Sequence, residues 1–315
     1  MASVTREDVL QAADRIKGAV RRTPLTIHDI GGAKVAIKWE NRQTGGAFKL
    51  RGASNRLLAL SPKERAEGVV AFSSGNHARG VAIAARRLGM HAAIVMPADA
   101  PKAKIEGTRS EGAEIFTYDR LTESREEIAA RLAEERGATL VPSFDDPWIV
   151  AGQGTCGLEI LEQAGEQGFP VKRIIICCGG GGLSSGIALA CPDAEIVIVE
   201  PEGWHDMALS LRAGKPKRVP ANPPPTLCDA IQTLMPAELT VDILRARGAK
   251  GVQVGEDAVR DAIRWAFAKG EVTEPGGSVA LAALLSGSVE PKDGDVLLVS
   301  GGNIDPALHA EMVGA

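Results

Sequence analysis

Short runs of aliphatic and β-branched residues recur along the chain: "VVAF", "AAIVM", "AEIFTY", "ATLVP", "RIIICC", "EIVIVE" and "DVLLVS", preceded near the start by "KVAIKWE". Runs of this length, bounded by glycine, proline and polar residues, read as buried strands. Between them, "HARGVAIAARRLGM" and "LTESREEIAARLAEERG" place apolar residues three and four apart, the period of a helix with one buried face. "MASVTREDVLQAADRI" opens the chain with the same period. Strands and helices alternating in short units predict an α/β fold of open parallel sheets flanked by helices on both faces. Such sheets bind ligands beyond the carboxyl ends of their strands. Two ends stand out here, "SSGNH" after "VVAF" and "GGGG" after "RIIICC". The sequence has no repeat, no low-complexity tract and no long linker, so two lobes must be joined closely around a cleft. "ANPPPT" reads as a rigid surface loop.

At 315 residues the chain has material for two lobes, taking roughly 150 residues per domain. Apolar content of 44% and charged content of 24% are those of an ordinary soluble globular protein. Aromatics at 3% and a formal net charge of -4 speak against a nucleic-acid partner, which needs stacking platforms and clustered cations. No apolar run approaches the roughly 18 residues of a membrane span, and the amphipathic start is unlike a signal peptide. The expectation is a cytoplasmic protein with no membrane partner. Cys156, Cys177, Cys178, Cys191 and Cys228 are odd in number, lack paired CxxC spacing and lie mostly in apolar surroundings. They read as reduced core residues rather than disulfides or zinc ligands.

The chemistry is concentrated at a few stretches. Gly179, Gly180, Gly181 and Gly182 follow a strand and precede the helical pattern "LSSGIALA", which would aim successive N–H groups and the positive end of a helix dipole at a phosphate. A flexible turn is the plainer alternative. The dinucleotide fingerprint GxGxxG fails, because Ser184 and Ser185 take the third glycine's place in either register. Glu200 ends the next strand where a ribose-binding acid would stand, which keeps an NAD-dependent oxidoreductase as a second class. In "GAFKLRGAS", Lys49 is either a lysine snorkelling from a half-buried helix or an amine kept dry for covalent work, with Arg51 as a neighbouring cation that would lower its pKa. In "FSSGNHARG", Ser73 or Ser74 could cap the next helix, and His77 alone reads as a satisfied polar residue. "TEPGGS" and "VSGGN" would each be a turn if taken singly.

Taken together and in order, "FKLRGA", "SSGNHA", "GGGGL", "VEPEG", "EPGG" and "SGGN" resemble the fold-type II pyridoxal phosphate enzymes, over nearly the whole chain. The closest likeness is to the serine/threonine dehydratase and serine racemase group. The resemblance implies a two-lobed, tryptophan synthase β-like fold. Residues 1–58 and 146–315 would form a large cofactor-binding domain and residues 59–145 a small mobile one. It also implies that Lys49 holds pyridoxal 5'-phosphate covalently beside Phe48. Gly179 to Gly182 with Leu183 would bind the phosphate, Asn76 would meet the ring hydroxyl and Ser300 the pyridine nitrogen, with Glu274 of "EPGG" also at the cofactor.

A β-hydroxy amino acid would displace Lys49, and the freed amine would take the α-proton while the cofactor stores the charge. A serine hydroxyl at the ring nitrogen does not enforce a pyridinium, which favours loss of the β-hydroxyl, assisted by the phosphate as acid, over transamination. The products would be a 2-oxo acid and ammonia. On the same resemblance the loop Ser73, Ser74, Gly75, Asn76 and His77 cradles the substrate carboxylate. Ser74 keeps racemisation open, since racemases of the group use a serine here as second acid/base opposite the lysine. Arg125 in "ESREE" matches an arginine that can reach a second substrate carboxylate, which would make 3-hydroxyaspartate a substrate. Its plainer reading is a solvated charge paired with Glu123 or Glu126. Glu200 and Asp206, with the Trp204 carbonyl between them, match a divalent-cation site suited to Mg²⁺ or Ca²⁺. The resemblance alone implies a homodimer.

Two departures matter. Ala230 follows Asp229 where a glycine is frequent. The chain also ends soon after "SGGN", without the regulatory domain of biosynthetic threonine dehydratases, so inhibition by isoleucine is not expected.

Overall fold

The computed structural model describes residues 4–100 and 102–314. Among the described residues, ten strands form two sheets. The larger takes β1 (Leu25–Ile30), β2 (Ala33–Trp39), β7 (Arg173–Cys177), β8 (Glu195–Pro201), β9 (Lys250–Val254) and β10 (Asp295–Val299), in the order β1-β2-β10-β7-β8-β9. Only β1 runs antiparallel to its neighbour. The smaller takes β3 (Val69–Phe72), β4 (Ala92–Pro97), β5 (Glu114–Tyr118) and β6 (Thr139–Leu140), all parallel, in the order β5-β4-β3-β6. Every residue of β4 and β10 is buried, the signature of a central parallel strand with both faces covered.

The helices are α1 (Arg6–Arg15), α2 (Lys49–Leu58), α3 (Pro62–Glu67), α4 (Asn76–Arg87), α5 (Lys102–Arg109), α6 (Arg125–Arg136), α7 (Pro147–Glu166), α8 (Gly182–Ala190), α9 (Asp206–Ala213), α10 (Glu238–Ala246), α11 (Glu256–Phe267), α12 (Pro275–Leu285) and α13 (Pro306–Val313). None of the described helices is long and apolar enough to cross a membrane. The α/β reading holds, with differences at the edges. β1 and β9 carry no buried run in sequence, because edge strands alternate or stay exposed, as the burial of "LTIHDI" shows. "ATLVP" supplies only the two residues of β6. The helix expected over "LTESREEIAARLAEERG" begins at Arg125, because the Ser124 hydroxyl accepts the N–H of Glu127 and fixes the start there.

One apolar core surrounds the large sheet, a second covers one face of the small sheet and a third, with α6, covers its other face. The second includes Leu50, Ala53 and Leu57 of α2 and Ile149 of α7, so the lobes share a seam. At that seam α2 and α7 touch backbone to backbone: a Cβ on Gly152 would lie 2.7 Å from the Gly52 Cα and 2.8 Å from the Arg51 carbonyl. Only glycine permits that approach. All five cysteines are free and buried, as expected.

Candidate active site

α2 begins at Lys49, and the chain entering it is tied to the end of β10. The Phe48 N–H donates to the Ser300 carbonyl at 3.1 Å, and Ala47 bridges Gly301. Two stretches 250 residues apart in order thereby meet at the carboxyl edge of the large sheet. The Lys49 ammonium donates to the Ser143 carbonyl at 2.9 Å and stands 5.2 Å from the Phe48 ring centroid. Burial lowers its pKa to about 8, against a weaker opposite pull from Cys177. Its place as first residue of a helix, at the positive end of the dipole, works in the same direction as burial.

Arg51 is not the cause. Its guanidinium is fully buried between two carboxylates, with Nε and Nη2 on Glu40 at 2.7 Å each and Nη1 and Nη2 on Glu159 at 2.7 and 2.8 Å. Lys38, also fully buried, donates to Glu159 at 2.6 Å, to Gln163 at 2.7 Å and to the Thr23 carbonyl at 2.8 Å. Two cations and two carboxylates cancel. The quartet therefore anchors the first turn of α2 without projecting a net charge at Lys49. Removing one member would leave a buried charge unpaired, at about 3–5 kcal/mol. Sequence reading could not supply these partners, because Glu159 lies on another helix.

The second sequence-predicted loop lines the cavity between the two sheets through Gly75 and Asn76. Neither serine caps α4: its N-cap is Gly75, with no side-chain bond, and the Ser73 hydroxyl accepts the Gly75 N–H at 3.2 Å. Ser74 is half-buried in the same turn. Asn76 is held on both sides, its Nδ2 donating to Glu274 Oε1 at 2.6 Å and its Oδ1 accepting from Asn303 Nδ2 at 2.7 Å. Asn303, inside the noted "SGGN", had no role assigned from sequence. Burial pushes the Glu274 carboxyl up to about 7, with the Asn76 bond pulling back. His77 is 2% exposed and its Nε2–H donates to the Val141 carbonyl at 2.9 Å. Burial, and then the Lys49 charge, lower its pKa to about 3, so the ring is neutral. Ser300 is 3% exposed, with its N–H on the Gly277 carbonyl at 3.2 Å. The neighbouring Cys177 thiol is pushed up to about 11 by burial, with the Ser300 hydroxyl acting in the opposite direction.

The tetraglycine turn leads into α8, whose N-cap, Gly181, has φ +86 and supplies no side-chain bond. A Cβ on Gly180 would sit 2.2 Å from the Phe144 ring, and one on Gly181 would sit 2.5 Å from Met207 Cε and 2.9 Å from Thr240 Cβ. The glycines are thus demanded by space and, at Gly181, by backbone conformation. Leu183 is buried in the first turn of α8. A helix start with no side-chain cap, floored by glycines, fits a phosphate. A half-buried amine of lowered pKa, tied to Ser143 next to the Phe144 that packs on Gly180, fits an aldehyde. Both features suit pyridoxal phosphate.

Arg125 stands apart from this cluster. It is exposed, donates to Glu126 at 2.8 Å and lies 5.4 Å over the Phe72 ring, one residue before Ser73. Between the lobes, a cavity of about 410 Å³ is lined by Asn76, Arg79, Lys104, Asp229, Glu274 and Asn303 among others, with Lys104 paired to Asp229 across it.

Glu200 is fully buried, its two oxygens accepting the N–H groups of Met207 at 2.8 Å and Ala208 at 2.9 Å. That excludes it from binding a ribose. Asp206 is equally buried, and neither of its carboxylate oxygens has a partner. Burial raises Glu200 to about 8, with Asp206 adding to it, and burial raises Asp206 to about 7. The turn between them is closed by the Trp204 N–H on the Pro201 carbonyl at 3.0 Å. Two buried, mutually repelling carboxylates with open oxygens are a donor set that fits a hard divalent cation.

Comparison with known proteins agrees with this geometry. The sequence model of the family described as "Pyridoxal-phosphate dependent enzyme" matches residues 16–302. The chain is 41% identical over 316 residues to the L-threo-3-hydroxyaspartate ammonia-lyase of a Pseudomonas species, covering 97% of each. It is 39% identical over 312 residues to the L-threonine ammonia-lyase of Thermotoga maritima, covering 96% of this chain and 76% of the relative. The solved structure of maize serine racemase superposes with a TM-score of 0.89 at 35% identity, covering 98% of this chain and 97% of the other.

Proposed function

The chain belongs to the pyridoxal-phosphate dependent enzymes, and from that premise we propose that it is an ammonia-lyase converting a β-hydroxy amino acid to a 2-oxo acid and ammonia. The observation that carries this reading is Lys49: a half-buried amine whose pKa is lowered to about 8, on a charge-balanced anchor, donating to the carbonyl of Ser143 next to the Phe144 that packs on Gly180. Bound there, pyridoxal phosphate supplies the electron sink that makes the substrate's α-proton removable. Gly179 to Gly182 and Leu183 hold its phosphate, Asn76 its ring hydroxyl, Ser300 its ring nitrogen, with Phe48 alongside.

The N–H groups at the start of α4, with the Ser73 and Asn76 side chains, receive the substrate carboxylate. Lys49 Nζ takes the α-proton, which its lowered pKa allows near neutral pH. Substrates carrying a second carboxylate, of the 3-hydroxyaspartate kind, bind when Arg125 exchanges Glu126 for the ligand. The position of Arg125 over Phe72, beside the "SSGNH" loop, supports this. Racemisation is the second reading, and the presence of Ser74 in the turn favours it.

The supporting features extend the proposal. Mg²⁺ or Ca²⁺ sits at Glu200, Asp206 and the Trp204 carbonyl, residues 59–145 move against the rest on substrate binding, and the protein is a cytoplasmic homodimer. The test is proton NMR of the cofactor-loaded protein with L-serine, L-threonine and 3-hydroxyaspartate in D₂O, with chiral analysis of the remainder. A 2-oxo acid without inverted substrate establishes the lyase, and α-deuterated D-serine moves the protein to the racemases. Lys49→Ala is expected to lose turnover and borohydride-fixable cofactor together. Pyridoxyl found on another lysine after reduction overturns the assignment.

A further inference from the structure

The carboxylate pair and the glycine cradle are parts of one packed unit. Glu200 holds the backbone of Met207 and Ala208 through its two oxygens, which fixes the first turn of α9 beneath it. Asp206, in the same turn, has two buried oxygens with no partner. The Met207 side chain, fully buried, runs from that turn to Gly181, where a Cβ would come within 2.5 Å of its Cε. Two further links run the same way. The Thr240 hydroxyl, packed on the same glycine, donates to the Gly180 carbonyl at 2.8 Å. The Cys178 N–H donates to the Val199 carbonyl at 2.9 Å, so the residue before the cradle hangs on the residue before Glu200.

A cation between Glu200 and Asp206 would draw Asp206 and the α9 backbone into one geometry. The thioether of Met207 would follow, because it is anchored in that turn. Gly181 has no side chain of its own to resist or replace that contact, and close-packed interiors transmit small displacements instead of absorbing them. We propose that Met207 is a positioning residue that couples divalent-cation binding at Glu200 and Asp206 to the phosphate affinity of the Gly179–Gly182 cradle. The inference rests on the cofactor reading above. Linkage requires the coupling to be reciprocal, so pyridoxal phosphate tightens the cation by the same factor.

The experiment uses cofactor-free, full-length protein. Pyridoxal phosphate is titrated by absorbance in saturating Mg²⁺ and in chelator, with a second series in Ca²⁺, and cation binding is measured separately by calorimetry. The wild-type protein is expected to bind the cofactor about tenfold more tightly with the cation. Met207→Leu should keep that ratio within about twofold, and Met207→Ala should bring it towards one while still binding the cation. Circular dichroism confirms that each variant is folded. A Met207→Ala protein that keeps the full ratio assigns the coupling to the cation's field and overturns the relay. Independent binding of both ligands to the wild type overturns it as well. Normal cofactor uptake with no cation binding removes the coupling and leaves the cofactor reading standing, whereas no cofactor uptake under any condition removes both.

Discussion

Two helices on opposite faces of the small sheet begin in opposite ways. α6 is preceded by Ser124, whose hydroxyl takes the Glu127 N–H, and it ends on the left-handed Gly137. α4 is preceded by two serines, yet neither caps it, and Gly75 opens it instead. Both kinds of start recur elsewhere in the molecule. Helices α1, α3, α7 and α13 are capped by Thr5, Ser61, Asp146 and Asp305. The starts of α2, α4 and α8, which carry the sequence-predicted site residues, have no side-chain cap, as is also true of α9, α10, α11 and α12. An uncapped start leaves N–H groups and a positive dipole end without a protein partner. A missing cap is therefore not peculiar to the site, but at α2, α4 and α8 it leaves donors open beside the residues proposed to bind cofactor and substrate.

The comparison can be broken most sharply at α8. Gly181→Ala puts a methyl where Met207 and Thr240 already stand and strains a left-handed residue, and cofactor affinity should fall by about 100-fold or more, by absorbance titration. Closing the start of α4 is the next test. No atom lies within 4 Å of a Cβ on Gly75, so Gly75→Asp should supply a cap and a repelling carboxylate. KM for the amino acid should rise about tenfold with the melting temperature maintained. A KM equal to wild type would mean the substrate carboxylate binds elsewhere.

At α2 the test is pH. Burial lowers the Lys49 pKa to about 8, so the neutral fraction of the amine rises as pH increases through that value. Uptake of pyridoxal phosphate by cofactor-free protein should accelerate about tenfold from pH 7 to pH 9 and then level off. A rate still climbing at pH 10 would mean the amine is an ordinary solvated lysine. The smallest effect belongs to the capped helix. Ser124→Ala should remove about 1 kcal/mol of stability in urea titrations and leave KM for serine unchanged.

The sequence made the functional loops legible and left their supports obscure. "GGGG" and "SSGNH" follow strands as read, and "SGGN" does close β10. Those readings rest on local pattern, where strand, turn and helix start lie within a dozen residues. Arg51 was legible as a nearby cation, but its neutralisation by Glu40 and Glu159 was not, because the decisive partner is on α7. Asn303, Ser143 and Met207 were missed for the same reason: each acts through a contact with an element distant in sequence. β1 and β9 escaped because an edge strand need not carry a buried run.

Helix α7 belongs to two of the three apolar clusters at once. Ile149, near its start, packs with the small lobe, and Val150, Ala151, Cys156 and Ile160 pack with the large one. With 20 residues it spans about 30 Å. Its amides should therefore exchange with solvent deuterium only through global unfolding, whereas those of α6, whose buried residues join a separate small cluster, should exchange through a cheaper local opening. On that expectation the small sheet with α6 would open as a cooperative unit of its own, while the strut beneath it would keep the fold from coming apart.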